Sequence, residues 1–147
     1  MPSQLDQAQA LLTPRYQEPS RAYHGLGHIK ALLKHLGEQR ALAKAPLSIE
    51  LAIWFHDAVY DTTRHDNEEQ CALLAERSLR DWGADESLVQ RVASMVRATA
   101  RHEWLDGVPD TALFLDLDLG ILAAPTNAYD QYAKQVAQEY AWVPPEL

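Results

Sequence analysis

Leu113-Phe114-Leu115-Asp116-Leu117-Asp118-Leu119-Gly120-Ile121-Leu122 is the stretch whose reading decides the fold. From Phe114 to Leu119 apolar and acidic residues alternate, which is the period of a half-buried strand. The same residues also fit a helix that opens after Pro109 and ends before Pro125. In a helix Asp116 and Asp118 point to different sides. Two aspartates in an apolar segment are costly unless charged neighbours or a metal hold them. The helical reading therefore makes one of them a ligand, and the plain alternative is an amphipathic segment with a solvated aspartate.

Outward from this stretch, strand signals are weak and the periodicity is helical. Ser3 is placed to cap a helix running to about Leu12 and stopped by Pro14. Ile29, Leu32, Leu33 and Leu36 have the i, i+3, i+4, i+7 spacing of one buried helical face, punctuated by Gly37 and then Pro46. Ser48 has the character of an N-cap for a helix through Leu51, Ala52, Trp54 and Phe55. Asp66 and Glu69 have capping-box spacing before a helix that closes near Gly83. Further helices carry Leu88, Val92, Met95 and Val96, and Tyr129, Tyr132, Ala133, Val136 and Tyr140. The expected fold is all-α: one domain over 1–147, a bundle of six to seven helices.

The chain has 147 residues, 47% of them hydrophobic, which suffices for a packed core. Its formal net charge is -8, from 21 acidic and 13 basic residues. That balance argues against a duplex nucleic acid, whose phosphates need a basic face. It leaves room for a small phosphorylated substrate, because a bound cation reverses the local sign. The single cysteine, Cys71, reads as a small core residue and points to a reducing compartment. Met1 to Gln9 lack the apolar run of a signal peptide, and no stretch approaches the ~20 apolar residues of a membrane span. The expected location is the cytoplasm, without membrane association; the oligomeric state is left open.

His56-Asp57 follows the apolar run Leu51 to Phe55. Two polar residues at the end of a buried helix need partners, and a metal supplies both. The competing reading is a core histidine beside an aspartate that caps the next turn. Upstream, Tyr23-His24-Gly25-Leu26-Gly27-His28 sets two histidines four apart, a spacing that suits a metal if the stretch is helical. The intervening glycines argue against helix at His24, so His28 is expected at or just inside a helix start. A capping histidine in a loop is the plain alternative.

In combination and order these pieces resemble the HD superfamily of metal-dependent phosphohydrolases, whose pattern is H…HD…D. The resemblance rests on Arg21-Ala22-Tyr23-His24 through His28, Trp54 to Asp61, Asp66-Asn67-Glu68-Glu69, Thr99-Ala100-Arg101-His102 and Asp116 to Leu119. It covers roughly residues 15–142 and is closest to the small bacterial HD-type hydrolases. It implies His28, His56, Asp57 and Asp118 as metal ligands, with Asp118 preferred to Asp116. It also implies His24 as a support of the ligands or a substrate contact, and His102 as a phosphate contact or a ligand of a second ion. Members of that group continue past the position of Glu139-Tyr140, so a C-terminal segment is expected to be missing here.

A donor set of nitrogen and oxygen without thiolate fits a catalytic site. It suits manganese, cobalt, nickel, iron or zinc better than magnesium, as one or two ions. Asp61 is a candidate general acid or base, and Glu68 a candidate for orienting water. Arg21, Lys30 and Arg64 could hold phosphate oxygens. The expected activity is hydrolysis of a small phosphate ester, with a nucleotide among the candidate substrates. The alternatives are an HD-type di-iron oxygenase and a metal-containing module that binds a nucleotide without cleaving it.

Overall fold

The computed structural model describes residues 2–144. Among them every regular element is helical: α1 Gln4–Tyr16, α2 Leu26–Glu38, α3 Pro46–Phe55, α4 Asn67–Asp81, α5 Glu86–Ala98, α6 Pro109–Asp118 and α7 Thr126–Glu139, with short 3-10 turns at Arg40–Leu42 and Gly120–Ala123. The protein is all-α. No described helix is long and apolar enough to cross a membrane. The expectation of a missing C-terminal segment concerns chain beyond the described residues.

The centre of the bundle is α3. A helix that is apolar all round must be buried all round, and from Ser48 to Phe55 only Glu50 reaches solvent appreciably. α1, α2, α4, α5 and α6 all pack against it. Phe55, Ile49, Leu51 and Ile53 are fully buried there, joined by Leu12 of α1, Ile29 and Leu36 of α2, Val92 and Met95 of α5 and Phe114 of α6. α4 and α5 form a hairpin whose turn passes through Gly83 at φ +78°, a conformation that an L side chain strains.

The ambiguous stretch is helical. Thr111, Phe114 and Leu115 are buried in α6, and Asp118 continues that i, i+3, i+4, i+7 face while Asp116 is exposed. A strand would have put both aspartates on one side. The start of α6 is fixed by a buried carboxylate, since Asp110 accepts the N–H groups of Lys44 (2.9 Å) and Ala45 (2.7 Å) just before α3.

Several helix boundaries differ from the sequence reading. α1 runs past Pro14 to Tyr16, because a proline in the last turn removes one hydrogen bond and the buried Tyr16 anchors that turn. Gly37 lies inside α2. α3 starts at Pro46, and Ser48 sits inside it with its hydroxyl donating to Ala45 O (2.7 Å) rather than capping. Asp66 stands at the N-cap of α4 but forms no capping box, because its carboxylate is taken by Arg64 and Gln70. Cys71 is buried as expected, and burial pushes its thiol up to about 12.

Candidate metal centre

The site is built on the end of α3. The last carbonyls of a helix have no partner within it, and here side chains from α1 and the following loop supply them. The Tyr16 hydroxyl donates to Trp54 O (2.6 Å) and accepts from Asp57 N–H (3.2 Å). The buried Arg21 guanidinium donates to the carbonyls of Asp57 (2.6 Å), Ala58 (2.9 Å) and His24 (3.2 Å). These bonds hold His56 and Asp57 in one fixed turn. Arg21 lies over the Tyr16 and Tyr60 rings as well.

The loop that carries Arg21 leads into α2 at Gly25. A Cβ there would lie 3.1 Å from Arg21 O and 3.2 Å from Tyr16 O, so only glycine lets the chain turn this closely. The turn sets His28 in the first turn of α2, where the spacing of the glycines had placed it.

Four side chains converge. His28 Nε2, His56 Nε2 and Asp118 Oδ1 lie close together, the donor atoms of these three residues all falling within 4.8 Å of one another. Asp118 Oδ1 is 3.1 Å from His56 Nε2 and 3.3 Å from His28 Nε2. Asp57 Oδ2 is 3.1 Å from His56 Nε2 and 3.6 Å from His28 Nε2. Donors ~2.1 Å from one cation sit about 3.0 Å apart at a right angle and about 3.4 Å apart at the tetrahedral angle. The histidine–carboxylate spacings have that size, although Asp57 lies outside the three-residue group whose donor atoms are all within 4.8 Å of one another.

The tautomer of His56 sharpens the point. Its Nδ1 lies 2.6 Å from Ile53 O, and a carbonyl only accepts, so Nδ1 carries the proton. In neutral His56 the Nε2 lone pair then faces two carboxylate oxygens, an arrangement that requires a proton or a cation between them. Burial opposes charge on His56, but Asp57 and Asp118 more than offset it and hold its pKa well above the ordinary value. Burial also opposes ionisation of the two carboxyls, and His56 again outweighs it. Asp57 is lowered to about 2, and Asp118, with His102 and His28 adding to the effect of His56, is held well below the usual range.

The other oxygen of Asp118 belongs to His102, whose Nε2 donates to Oδ2 at 2.8 Å. His102 has φ +51°, the sole positive value at a non-glycine residue among the described residues. Strain of this kind persists where surrounding structure over-determines it. Asp116 is exposed and has no part in the cluster.

The remaining candidates are dispersed. His24 stacks on Tyr60 and its Nδ1 lies 2.6 Å from Glu139 Oε1. Glu68 lines a cavity beside the cluster. Asp61 is not brought there; its carboxylate accepts from the N–H and hydroxyl of Thr63 in an exposed turn. Lys30 is exposed on the outer face of α2 and borders no cavity. Arg21 has its guanidinium on carbonyls, and Arg64 forms a two-pronged pair with Asp66 (2.8 Å each).

Residue-level reading of the sequence missed Glu139. Nearly buried at the end of α7, it accepts from Tyr23 N–H (3.0 Å), His24 N–H (2.8 Å) and the Tyr60 hydroxyl (3.1 Å), besides His24 Nδ1. Its signal was an acid at the i+7 position of the stripe Tyr132, Val136.

Two cavities meet at the cluster. One, of about 1060 Å³, lies between α2, the end of α6 and α7. The other, of about 710 Å³, lies toward the loops after α3 and α5. His28 and Asp118 border both, and His56 and Asp57 border the second alone. No family model matches the chain, and no curated protein or solved structure is detectably similar to it.

Proposed function

We propose that this protein is an HD-type phosphohydrolase that holds a divalent transition-metal ion on His28, His56, Asp57 and Asp118. The observation that carries the reading is His56 Nε2, a lone pair set 3.1 Å from each of two carboxylates with its other nitrogen already bonded to Ile53 O. A mixed imidazole and carboxylate set with no thiolate is that of a catalytic rather than a structural ion. Such an ion polarises a phosphoryl oxygen and makes an adjoining water nucleophilic at neutral pH.

The chain's own residues do the rest. Arg101 borders the smaller cavity and has no hydrogen-bond or ion-pair partner among the described residues, so its guanidinium is available to phosphate oxygens. His102 locks the rotamer of Asp118, which keeps Oδ1 aimed at the two imidazoles. Glu68 borders the same space and orients the attacking water. The ester sits between the two cavities with its phosphate on the Arg101 side.

The test is metal analysis of the purified protein, joined to a screen of nucleotides and phosphosugars with manganese, cobalt, nickel, magnesium and zinc. Ion-dependent release of phosphate that disappears in His56→Ala is expected. Absence of bound ion together with absence of hydrolysis under all five metals defeats the proposal. Iron-dependent oxygen consumption would move the chain to the oxygenases, and nucleotide binding without turnover to the binding modules.

A further inference from the structure

The two cavities differ in chemistry, and the difference bears on what is attached to the phosphate. The larger one is walled by Leu26, Leu32, Leu117, Ile121, Pro125 and Ala128. Its charged border is acidic, from Glu18 and Asp116. The one guanidinium there, Arg21, is buried and spent on three backbone carbonyls, and His35 lies 3.4 Å from Glu38. An anionic group entering this space would meet carboxylates and find no free cation. The smaller cavity is richer in cationic groups, since Arg101, His65 and His102 border it beside the carboxylates of Asp57, Glu68 and Asp118.

Both spaces have the size of small-molecule sites, roughly 300–1,000 Å³. Tyr23, His28, Asp118 and Ile121 line both, so each space lies directly against the cluster where the reacting atom would sit. We infer that the larger cavity receives the alcohol part of the substrate, and that this part is bulky, mostly apolar and free of negative charge. The inference rests on the hydrolase reading above. Phosphate faces the cationic side, where water adds to phosphorus, the bond to the ester oxygen breaks and the alcohol leaves with a proton. Nucleoside triphosphates carry the wrong charge for this arrangement, because they bring further anionic groups to the side that offers carboxylates and no free cation.

The experiment compares primary alkyl esters, whose leaving groups have similar basicity. Manganese-loaded protein is assayed with 2-naphthylmethyl phosphate, ethyl phosphate, glucose 6-phosphate and a carboxylated 2-naphthylmethyl phosphate. Binding of the neutral alcohol 2-naphthylmethanol is measured beside them by saturation-transfer NMR. Ala31 of α2 and Ala128 of α7 are exposed small residues on opposite walls of the cavity, so Ala31→Trp and Ala128→Trp narrow it with little risk to folding. Circular dichroism and metal content check that risk.

The naphthylmethyl ester is expected to have the highest kcat/KM, with a higher KM once it bears a carboxylate. Each tryptophan should lower its kcat/KM relative to ethyl phosphate on the order of tenfold. Preference for glucose 6-phosphate, or an equal effect of tryptophan on all esters, overturns the inference. If none of these esters is cleaved, the alcohol alone decides for the cavity, and the five-metal screen decides the hydrolase reading. Saturable binding that Ala128→Trp abolishes supports an apolar ligand there, and no binding to the wild-type protein rules it out.

Discussion

At the scale of single residues, a proton and a metal ion compete for one place. Without an ion, His56 takes the proton, since Asp57 and Asp118 raise its pKa beyond what burial costs it. The stability this gives is complete below the unfolded histidine value of ~6.5 and is lost as pH rises through the higher folded value. The two carboxylates work in the opposite sense. Their folded values are lowered, so their contribution is complete above ~4 and fades as pH falls through the lower folded values, about 2 for Asp57. An ion must displace the His56 proton, so its affinity should weaken as pH drops below the raised folded value of His56, and go on weakening into the acidic range. Titrations with zinc at neutral and mildly acidic pH check this, and equal affinity at both would contradict histidine ligation. The aspartates separate in the same assay. Asp118→Ala should lose the ion and any hydrolysis, whereas Asp116→Ala, at an exposed position outside the cluster, should keep its metal content and fold. Metal retained by folded Asp118→Ala would show that the fourth ligand is another residue.

At the scale of elements, α7 stands apart from the other helices. It is 14 residues long and its one buried residue is Glu139, a charged one, whereas α3 buries seven residues in ten. Its attachment therefore depends on hydrogen bonds to His24, Tyr23 and Tyr60 more than on apolar area. Burial opposes ionisation of Glu139, but the His24 ring and the backbone N–H groups outweigh it, so its pKa lies below the ordinary value. That contribution is present above the unfolded glutamate value of ~4.3 and is lost as pH falls through the folded one. Glu139→Gln removes the charge and keeps the shape. Hydrogen exchange of the α7 amides should then quicken by about tenfold or more while α5 is unaffected, because charge-assisted bonds contribute roughly 1.5–3 kcal/mol each. Exchange of α7 that matches the wild type would show that apolar contacts hold it. The end of α3 offers a second test. Tyr16→Phe leaves Trp54 O and Asp57 N–H without their shared hydroxyl, a loss of about 1–3 kcal/mol that a thermal melt would register as a lowered Tm.

At the scale of the whole molecule, the all-helical fold was legible in the sequence, and the candidate cluster was marked there residue by residue. Helical periodicity records which face each segment buries, and that record is local. It placed the stripe of α2, the largely apolar α3 and His28 in the first turn of its helix. The cost of burying Asp and His without partners marked His56, Asp57 and the Asp116/Asp118 pair as candidates before any contact was known. Boundaries were less legible at Pro14, Ser48 and Asp66, where the cap that forms depends on which neighbour reaches the backbone first. Asp118 separated from Asp116 once α6 was seen to bury Thr111, Phe114 and Leu115, because helical geometry then carries Asp118 to the buried face. Glu139, Arg21 and Asp110 lie 115, 36 and 66 residues from partners they bond. Nothing in local spacing encodes such pairs, since the energy that selects them exists only after the helices have packed. The sequence by itself determined the helices and marked the polar residues whose burial needs partners. Only the tertiary structure decided that His28, His56 and Asp118 share one place with Asp57 beside the two histidines, since burial and distance are properties of packed elements and not of the chain.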